Sequence, residues 1–279
     1  MAAPDVVIVG AGAIGLASAW RLVQRGVTVE VVDPHPGGGA STVAAGMLAP
    51  ITEARLGEEV QLRLGLASWE RWPDLAAELG GAAIGYRSDG TVMVALEADD
   101  RAALVDMVDR YGALGLDVEV LKNRELRALE PGLAPGFRRG ARVAAERSVE
   151  PAALLDVLFA AAEQAGAVIR RDRVTSVLTV PGGGRALGVE LADGDQVAAG
   201  TVVLAAGAWS SQIGGLDAAV RPLVRPVKGQ ILTLRQRPDD LVVQHMVRSF
   251  VRGSVVYLVP RNDGRLVCGA TVEEQGWDA

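Results

Sequence analysis

The sequence has few of the residues from which metal sites and cross-links are built. Of its 279 residues only Cys268 is a cysteine, which excludes an internal disulfide and a cluster of thiolate ligands. His35 and His245 are the only histidines, and so small a number argues against a zinc site. We therefore expect no bound metal.

An excess of positive charge is also missing. The chain has 28 lysines and arginines against 34 acidic residues, which gives a net charge of −6. Nucleic acids and anionic membranes attract basic surfaces, so this balance argues against both as partners.

Long hydrophobic runs are scarce. The apolar stretch 6–20 could be taken for a secretory signal, but Asp5 precedes it, no basic segment does, and a glycine motif interrupts it. No other stretch is long and apolar enough to span a bilayer. We expect a soluble, cytoplasmic protein.

What the sequence does contain is a dinucleotide fingerprint near its start. Residues 6–9 form a short β-branched run that predicts a buried strand, and residues 10–15 then spell G-x-G-x-x-G. A helical pattern follows over 13–24, and a second β-branched run over 28–32 ends at Asp33. This order of strand, glycine turn, helix, strand and acid predicts a nucleotide site, with NAD and FAD both open at this point.

Each part of the fingerprint has a physical role. Gly10 permits the tight turn, Gly12 allows the backbone to approach a pyrophosphate, and Gly15 allows the helix to pack on the sheet. The helix N-terminus offers unpaired N–H groups and a positive dipole to phosphate. Asp33 can accept hydrogen bonds from a ribose hydroxyl.

Residues 34–50 form the next informative stretch. A glycine loop leading into an alanine-rich helix is the plain interpretation. Ser41 and Thr42, however, stand where hydroxyl and N–H groups could bind phosphate, and Gly46 and Met47 suit a place where a flat ring lies against backbone.

The rest of the chain alternates helices and strands. Apolar residues at helical spacing over 58–78 predict a helix that packs in the core, and Asp89-Gly90 between two β-rich runs predicts a hairpin of 86–88 with 91–96. Residues 131–142 are expected to be loop. Three β-rich runs at 174–180, 186–191 and 196–199 predict a meander that precedes a further buried strand.

This order predicts an α/β fold, α+β overall, in which a Rossmann-like dinucleotide-binding domain with a β-meander is interleaved with an antiparallel-sheet domain. We place the dinucleotide-binding domain at residues 1–80 and 145–215. The antiparallel-sheet domain is placed at 81–144 and 216–279.

The sequence resembles the FAD-dependent D-amino-acid oxidase family. The fingerprint carries part of the resemblance, and further motifs follow in family order across the chain. These motifs are A-S-T-V-A-A-G-M-L-A-P at 40–50, Glu150-Pro151, V-L-A-A-G-A-W-S at 203–210, P-V-K-G-Q at 226–230, Y-L-V-P-R at 257–261 and G-A-T at 269–271.

The resemblance implies that the Rossmann-like domain is an FAD-binding domain, which holds FAD noncovalently, and that the antiparallel-sheet domain is the substrate domain. It also implies a set of cofactor-binding residues. Besides Gly10, Gly12, Gly15 and Asp33, it implies Ala13 and Ile14 at the pyrophosphate, Ala40, Ser41 and Thr42 by the phosphates, Ala45, Gly46 and Met47 against the isoalloxazine, backbone of Val174 near the adenine, and Ala206 with Gly207 lining the nucleotide. Tyr257 is the residue expected to act on the substrate, through its hydroxyl. Cys268 matches no flavin-attachment position and is expected to be a small core residue.

The resemblance also implies a reaction. Glycine or another small amine or D-amino acid would lose hydride from Cα to flavin, giving an imine, then a 2-oxo acid and ammonia, while oxygen becomes hydrogen peroxide. A role in thiazole synthesis for thiamine is implied, and a homo-oligomer is compatible with the family. No catalytic acid or base is required.

Several alternatives remain at this point. One is a D-amino-acid dehydrogenase or sarcosine-oxidase-like enzyme with another electron acceptor, and another is a NAD-dependent dehydrogenase. The family's G-L-R-P and D-G-x-P-x-I-G segments, the first of which holds an arginine for the substrate carboxylate, do not occur in this sequence. A truncated, inactive nucleotide-binding fragment is therefore the third alternative.

Overall fold

The computed structural model describes residues 3–55, 57–181, 184–237, 239 and 241–277. The chain divides into two compact units. The first consists of Met1–Ala44, Pro151–Val227 and Glu274–Ala279, and the second of Ala45–Glu150 and Lys228–Glu273.

Helices and strands alternate along most of the chain. The helices are α1 (Ala13–Val23), α2 (Ala40–Val43), α3 (Glu59–Trp69), α4 (Trp72–Leu79), α5 (Ala98–Ala113), α6 (Asn123–Leu129) and α7 (Pro151–Ala165), with a 3₁₀ helix at Gly207–Gln212. The strands are β1 (Val6–Val9), β2 (Val29–Val32), β3 (Met47–Leu48), β4 (Thr91–Ala95), β5 (Glu119–Lys122), β6 (Arg139–Val143), β7 (Arg147–Ser148), β8 (Val168–Arg170), β9 (Val174–Thr179), β10 (Ala186–Leu191), β11 (Gln196–Ala198), β12 (Thr201–Leu204), β13 (Ile231–Arg235), β14 (Met246–Val251), β15 (Ser254–Pro260) and β16 (Arg265–Gly269).

The first unit is built on a parallel sheet of order β12-β1-β2-β8. Strand β1 is buried along its whole length, as its β-branched sequence predicts for a strand covered on both faces. Helix α1 packs against α7. The meander β9–β10–β11 is antiparallel and shares a hydrophobic core with Val7 and Val32 of the parallel sheet.

The second unit contains a seven-stranded sheet of order β13-β16-β15-β14-β4-β6-β5. Strands β14 and β4 are parallel, and the other neighbours are antiparallel. Alternate residues of β4 enter different cores, because Val92 and Val94 belong to one cluster while Met93 and Ala95 belong to another. This period of two follows from the pleat of the strand.

The predicted fold class is confirmed: a parallel Rossmann-like sheet with a meander occurs together with a mainly antiparallel sheet. The domain boundaries differ from the expected ones. Residues 45–80 lie in the second unit because β3 pairs with β7 and Ile51 joins the core around Met93. The assignment of one unit to FAD and the other to substrate stays a prediction.

Two local predictions in the second unit are wrong. Arg87 bridges to Ser148 rather than pairing across Asp89-Gly90, so the expected hairpin does not form. The predicted loop 131–142 includes part of β6, which is held between β4 and β5.

The prediction of one core-packing helix over 58–78 is correct in part. The segment forms two helices, and α3 has no fully buried residue, with Leu64 71% exposed. Leu66 of α3 nevertheless packs against the core around Met93, and Ala76 of α4 is buried. Among the described residues, no helix has the length and apolarity that a membrane crossing requires.

Candidate functional site

The glycine turn between β1 and α1 closes so tightly that two of its positions exclude a side chain. Gly10 has a φ of +108°, and a Cβ there would lie 2.5 Å from the carbonyl oxygen of Ala205. A Cβ on Gly15 would lie 1.9 Å from the carbonyl oxygen of Gly10. The turn therefore needs glycine at both positions for packing within the chain itself.

The N-terminus of α1 is left open by the residues around it. Gly12 is the N-cap and provides no side-chain cap, and the first turn contains no acidic residue. The N–H of Ala13 donates to Oγ of Ser41 at 3.2 Å, and a Cβ on Gly12 would lie 3.1 Å from the same oxygen. Ile14 is 73% exposed. This end of α1 thus keeps N–H groups and positive dipole available for an anion.

Asp33 is held firmly at the end of β2. Its Oδ2 accepts a 2.7 Å hydrogen bond from the N–H of Ala11, and its Oδ1 accepts one of 2.7 Å from the N–H of His35. Each carboxylate oxygen retains a further lone pair that can accept from a hydroxyl. The carboxylate is therefore already oriented beside the glycine turn.

The segment after the glycine loop begins a short helix, α2, in which Ala40 is exposed. Through the contact with Ala13, Ser41 lies beside the start of α1. The hydroxyl of Thr42 donates to the carbonyl oxygen of Gly37, so its lone pairs, not its proton, remain for a ligand.

The remaining predicted residues of the first unit differ in their surroundings. The side chain of Val174 is buried in the core, which leaves only its backbone for the predicted contact. Ala206 follows β12 beside Gly10, where a Cβ on Gly10 would lie 3.0 Å from its Cα. Gly207 has a φ of +54° and begins the 3₁₀ helix.

In the second unit, the backbone of Ala45–Met47 is held by other parts of the same unit. The carbonyl oxygen of Gly46 accepts from the N–H of Val149 at 2.9 Å, and Met47 pairs with Ser148. Gly46 has a φ of +74°, which favours glycine there.

Arg261 also holds this segment, a role that was not predicted from the sequence. Its guanidinium donates to the carbonyl oxygens of Val149 and Ala45, each at 2.7 Å. Its Nε lies 3.2 Å from Oε2 of Glu150, and the side chain is only 5% exposed. Burial lowers the pKa of Arg261, and the Glu150 carboxylate opposes this effect. Y-L-V-P-R and Glu150-Pro151 are separate motifs in the sequence, and neither of them indicates that the two segments are in contact.

Tyr257 lies in β15 and packs against a core cluster of Met246, Val259 and Val267, on which Ala45 and Met47 also pack. The second unit thus brings the predicted substrate residue together with two residues predicted to contact flavin. Burial raises the pKa of the Tyr257 hydroxyl, and the nearby carboxylate of Glu53 raises it further. The phenol therefore keeps its proton at neutral pH and can donate a hydrogen bond.

These residues fit the adenine dinucleotide part of FAD. Gly12 adds no side chain at the start of α1, the first turn of α1 contains no acidic residue, and Asp33 is oriented with lone pairs to spare. These are the donors and acceptors that a pyrophosphate and a ribose require. The individual roles of the predicted site residues stay predictions.

Comparison with known proteins agrees with this geometry. The family model described as "FAD dependent oxidoreductase" matches residues 5–279. The bifunctional protein ThiO/ThiG of Synechocystis is 32% identical over 98% of the chain, which spans only 39% of that protein's length. A glycine oxidase of Geobacillus kaustophilus is 31% identical over 96% of the chain and is covered over 70% of its length.

Solved structures give the same result. The crystal structure of glycine oxidase from Geobacillus kaustophilus superposes with a TM-score of 0.85 at 29% identity, over 99% of this chain and 73% of that one. The glycine oxidase from Bacillus cereus also has a TM-score of 0.85, at 27% identity. The cofactor predicted from the sequence, FAD, is the one that the family description names.

Proposed function

Because the chain belongs to the family of FAD dependent oxidoreductases, we propose that it oxidises glycine or another small amine or D-amino acid. The products would be an imine, which hydrolyses to a 2-oxo acid and ammonia, and hydrogen peroxide from oxygen. The similarity to proteins named glycine oxidase and ThiO/ThiG supports this substrate class and a role in supplying thiazole synthesis.

The uncapped N-terminus of α1 behind the glycine turn is the observation that carries this proposal. A helix end with free N–H groups and no neighbouring acid in its first turn stabilises a pyrophosphate. Ile14, Ser41 and Asp33 would contribute a backbone N–H, a hydroxyl and a carboxylate to the dinucleotide, beside Ala13, whose N–H donates to Ser41. When bound, FAD supplies the electron acceptor for the Cα–H bond of the substrate.

On the substrate side, Tyr257 would donate its hydroxyl hydrogen to the substrate carboxylate. Its raised pKa supports the neutral, donating form. An amino acid that binds as a neutral amine needs no proton removed before Cα–H cleavage. The chain's contribution is therefore to orient the substrate and keep water away rather than to act as acid or base.

The test is a spectrum of the purified chain supplemented with FAD, followed by addition of glycine without oxygen. We expect the visible absorption bands of bound oxidised flavin, bleaching of the longer-wavelength band by glycine, and formation of peroxide when oxygen is readmitted. A chain that binds no FAD would contradict the proposal at its first step. Bound flavin that neither glycine, sarcosine nor a small D-amino acid bleaches would contradict it at the second.

A pair of glycine variants isolates the dinucleotide site. Gly12→Ala adds a Cβ that would lie 3.1 Å from Oγ of Ser41 and would face the predicted pyrophosphate, whereas Gly112→Ala in α5 meets no atom within 4 Å. We expect Gly12→Ala to weaken FAD binding by about tenfold or more, a loss of about 1.4 kcal/mol. The Gly112→Ala control should bind FAD as the unmodified chain does.

A further inference from the structure

Strand β13 forms one edge of the seven-stranded sheet in the second unit and is largely exposed. It pairs with β16 on one side, and no strand of the described chain pairs with its other side. Four of its five residues are exposed, and the two leucines among them, Leu232 and Leu234, are 65% and 49% exposed. An open edge that carries apolar side chains is a template for pairing with another strand.

The outer side of β13 also offers backbone donors and acceptors. Gln236 lies directly after β13, and its N–H donates to the carbonyl oxygen of Gly264 at 2.8 Å, which continues the register with β16. Successive residues of a strand direct their backbone groups to alternate sides. The even-numbered residues of β13 therefore direct theirs toward β16, whereas Ile231, Thr233 and Arg235 direct theirs outward.

The sequence of β13 is complementary to itself when two copies run antiparallel. With Thr233 of each copy opposite that of the other, Leu232 stands opposite the partner's Leu234, and Ile231 opposite the partner's Arg235. All residues of the strand are then paired, each outward N–H meets an outward carbonyl oxygen, and the leucines of both copies lie on one face. A shift by one residue reverses the faces, and a longer shift leaves part of the strand unpaired.

We propose that two copies of this chain associate through β13, antiparallel about a two-fold axis at Thr233, and so join their sheets into one. Such a contact uses the same surface on both copies and closes on itself. Charge favours this arrangement as well. The two Arg235 side chains lie at opposite ends of the interface, each at the end where the partner has the carboxylate of Glu273, which accepts a hydrogen bond from Gln230.

The small size of this interface sets its expected affinity. A pair of such short strands buries less than about 1,200 Å², below the range of stable complexes, so the dimer should be weak and reversible. Sedimentation equilibrium of the full chain supplemented with FAD measures the association directly. From low to high micromolar concentration, we expect the average mass to rise from that of one chain toward that of two. A mass that stays at one chain over the whole range would overturn the proposal.

The substitutions Leu232→Lys and Leu234→Glu test the register of the two strands. Either variant alone places charges opposite leucines in the dimer, and we expect it to weaken self-association by about tenfold or more. An equal mixture of the two variants should associate again, because the introduced ammonium of one then stands opposite the introduced carboxylate of the other. The second leucine pair is intact in that mixed dimer. A mixture that associates no better than the separate variants would overturn the proposed register.

The matched control is Val120→Lys on β5, at the other edge of the same sheet, where Val120 is 59% exposed. Its self-association should equal that of the unmodified chain. Association that persists undiminished in Leu232→Lys, or that Val120→Lys abolishes, would assign the dimer to another surface and overturn this one. Melting temperatures identify a variant that fails to fold, and renewed association in the mixture requires both variants to be folded.

Discussion

The guanidinium of Arg261 donates a hydrogen bond of 2.7 Å to the carbonyl oxygen of Ala45, and a second of 2.7 Å to that of Val149. The two acceptors lie in different segments, which Gly46 also joins through its bond with Val149. One buried side chain therefore fixes the backbone of the segment predicted to contact flavin. Arg261 is better described as a positioning residue than as a substrate ligand.

We predict that Arg261→Met lowers the free energy of unfolding by about 3 kcal/mol, because it leaves two carbonyl oxygens without their donor and removes the buried one of the two arginines beside the Glu150 carboxylate. Arg265→Met is the matched control, since Arg265 contacts the same carboxylate at 2.9 Å but is 37% exposed. An exposed pair of that kind contributes about 0–1 kcal/mol. Urea unfolding of both variants measures the difference, and equal losses would contradict the positioning role.

Gly269 lies opposite Tyr257 on β16, and its lack of a side chain makes room for the phenol ring. A Cβ on Gly269 would lie 2.3 Å from the Tyr257 hydroxyl oxygen and 2.5 Å from Cζ. We predict that Gly269→Ala displaces the ring and costs about 1–3 kcal/mol of stability, as overpacking does. The same substitution in a Tyr257→Val background should cost much less. Urea unfolding measures the loss of stability in both backgrounds. Equal losses would exclude the contact with the Tyr257 ring as the cause.

The parts of the fold that the sequence predicted well are those encoded by neighbouring residues. The unit from β1 to β2 follows from a β-branched run, a glycine turn and a helical period, all within thirty residues. The hairpin at Asp89-Gly90 failed because Arg87 pairs with Ser148 instead, and a turn signal carries no information about a distant competitor. The exposed Leu64 of α3 shows the same limit, since periodicity defines an apolar face but not what covers it.

The residues of the candidate site show the same contrast between features encoded by neighbouring residues and features set by distant contacts. Gly10, Gly12 and Asp33 could be predicted because the fingerprint is contiguous and each residue has a geometric reason. Arg261 could not, since its contact with Ala45 joins segments that are distant in the sequence and depends on side-chain burial. Arginine after a strand is common, and only the structure distinguishes a buried one from a solvated one.

Asp100 connects the start of α5 to the turn between β14 and β15. Its Oδ1 accepts from the N–H of Gly253 at 2.9 Å and its Oδ2 from that of Arg252 at 2.8 Å. We predict that Asp100→Ala lowers the melting temperature by several degrees. Asp99→Ala removes an exposed carboxylate from the same helical turn and should change it much less.

The effect of Asp100 should depend on pH in a defined direction. The hydrogen bond from Gly253 is the main reason that the pKa of Asp100 lies below its ordinary value of 3.8. A lowered pKa in the folded state means that the stabilisation is present above 3.8 and disappears as pH falls through the folded value. The difference in melting temperature between Asp100→Ala and the unmodified chain should therefore shrink below pH 3.8. A difference in melting temperature that stayed constant with pH would mean that the ionised carboxylate of Asp100 is not the form that stabilises this turn.

Glu146 is expected to give the opposite pH dependence. It is fully buried and accepts hydrogen bonds from the N–H of Ile51 at 3.0 Å and from the N–H of Thr52 at 2.7 Å, yet burial still raises its pKa above the ordinary value of 4.5. A raised pKa means that the folded state holds the proton more tightly than the unfolded chain does. Glu146 therefore stabilises the fold most below pH 4.5, and this contribution declines as pH rises through the folded value.

The neutral variant Glu146→Gln keeps a carbonyl oxygen for the same two N–H groups and cannot titrate. Its stability relative to the unmodified chain should therefore increase as pH is raised above 4.5. Urea unfolding of both proteins at a series of pH values measures this difference and cancels contributions from all other acids. A difference that decreased with pH would mean that the hydrogen bonds outweigh burial and hold the Glu146 carboxylate ionised in the folded state.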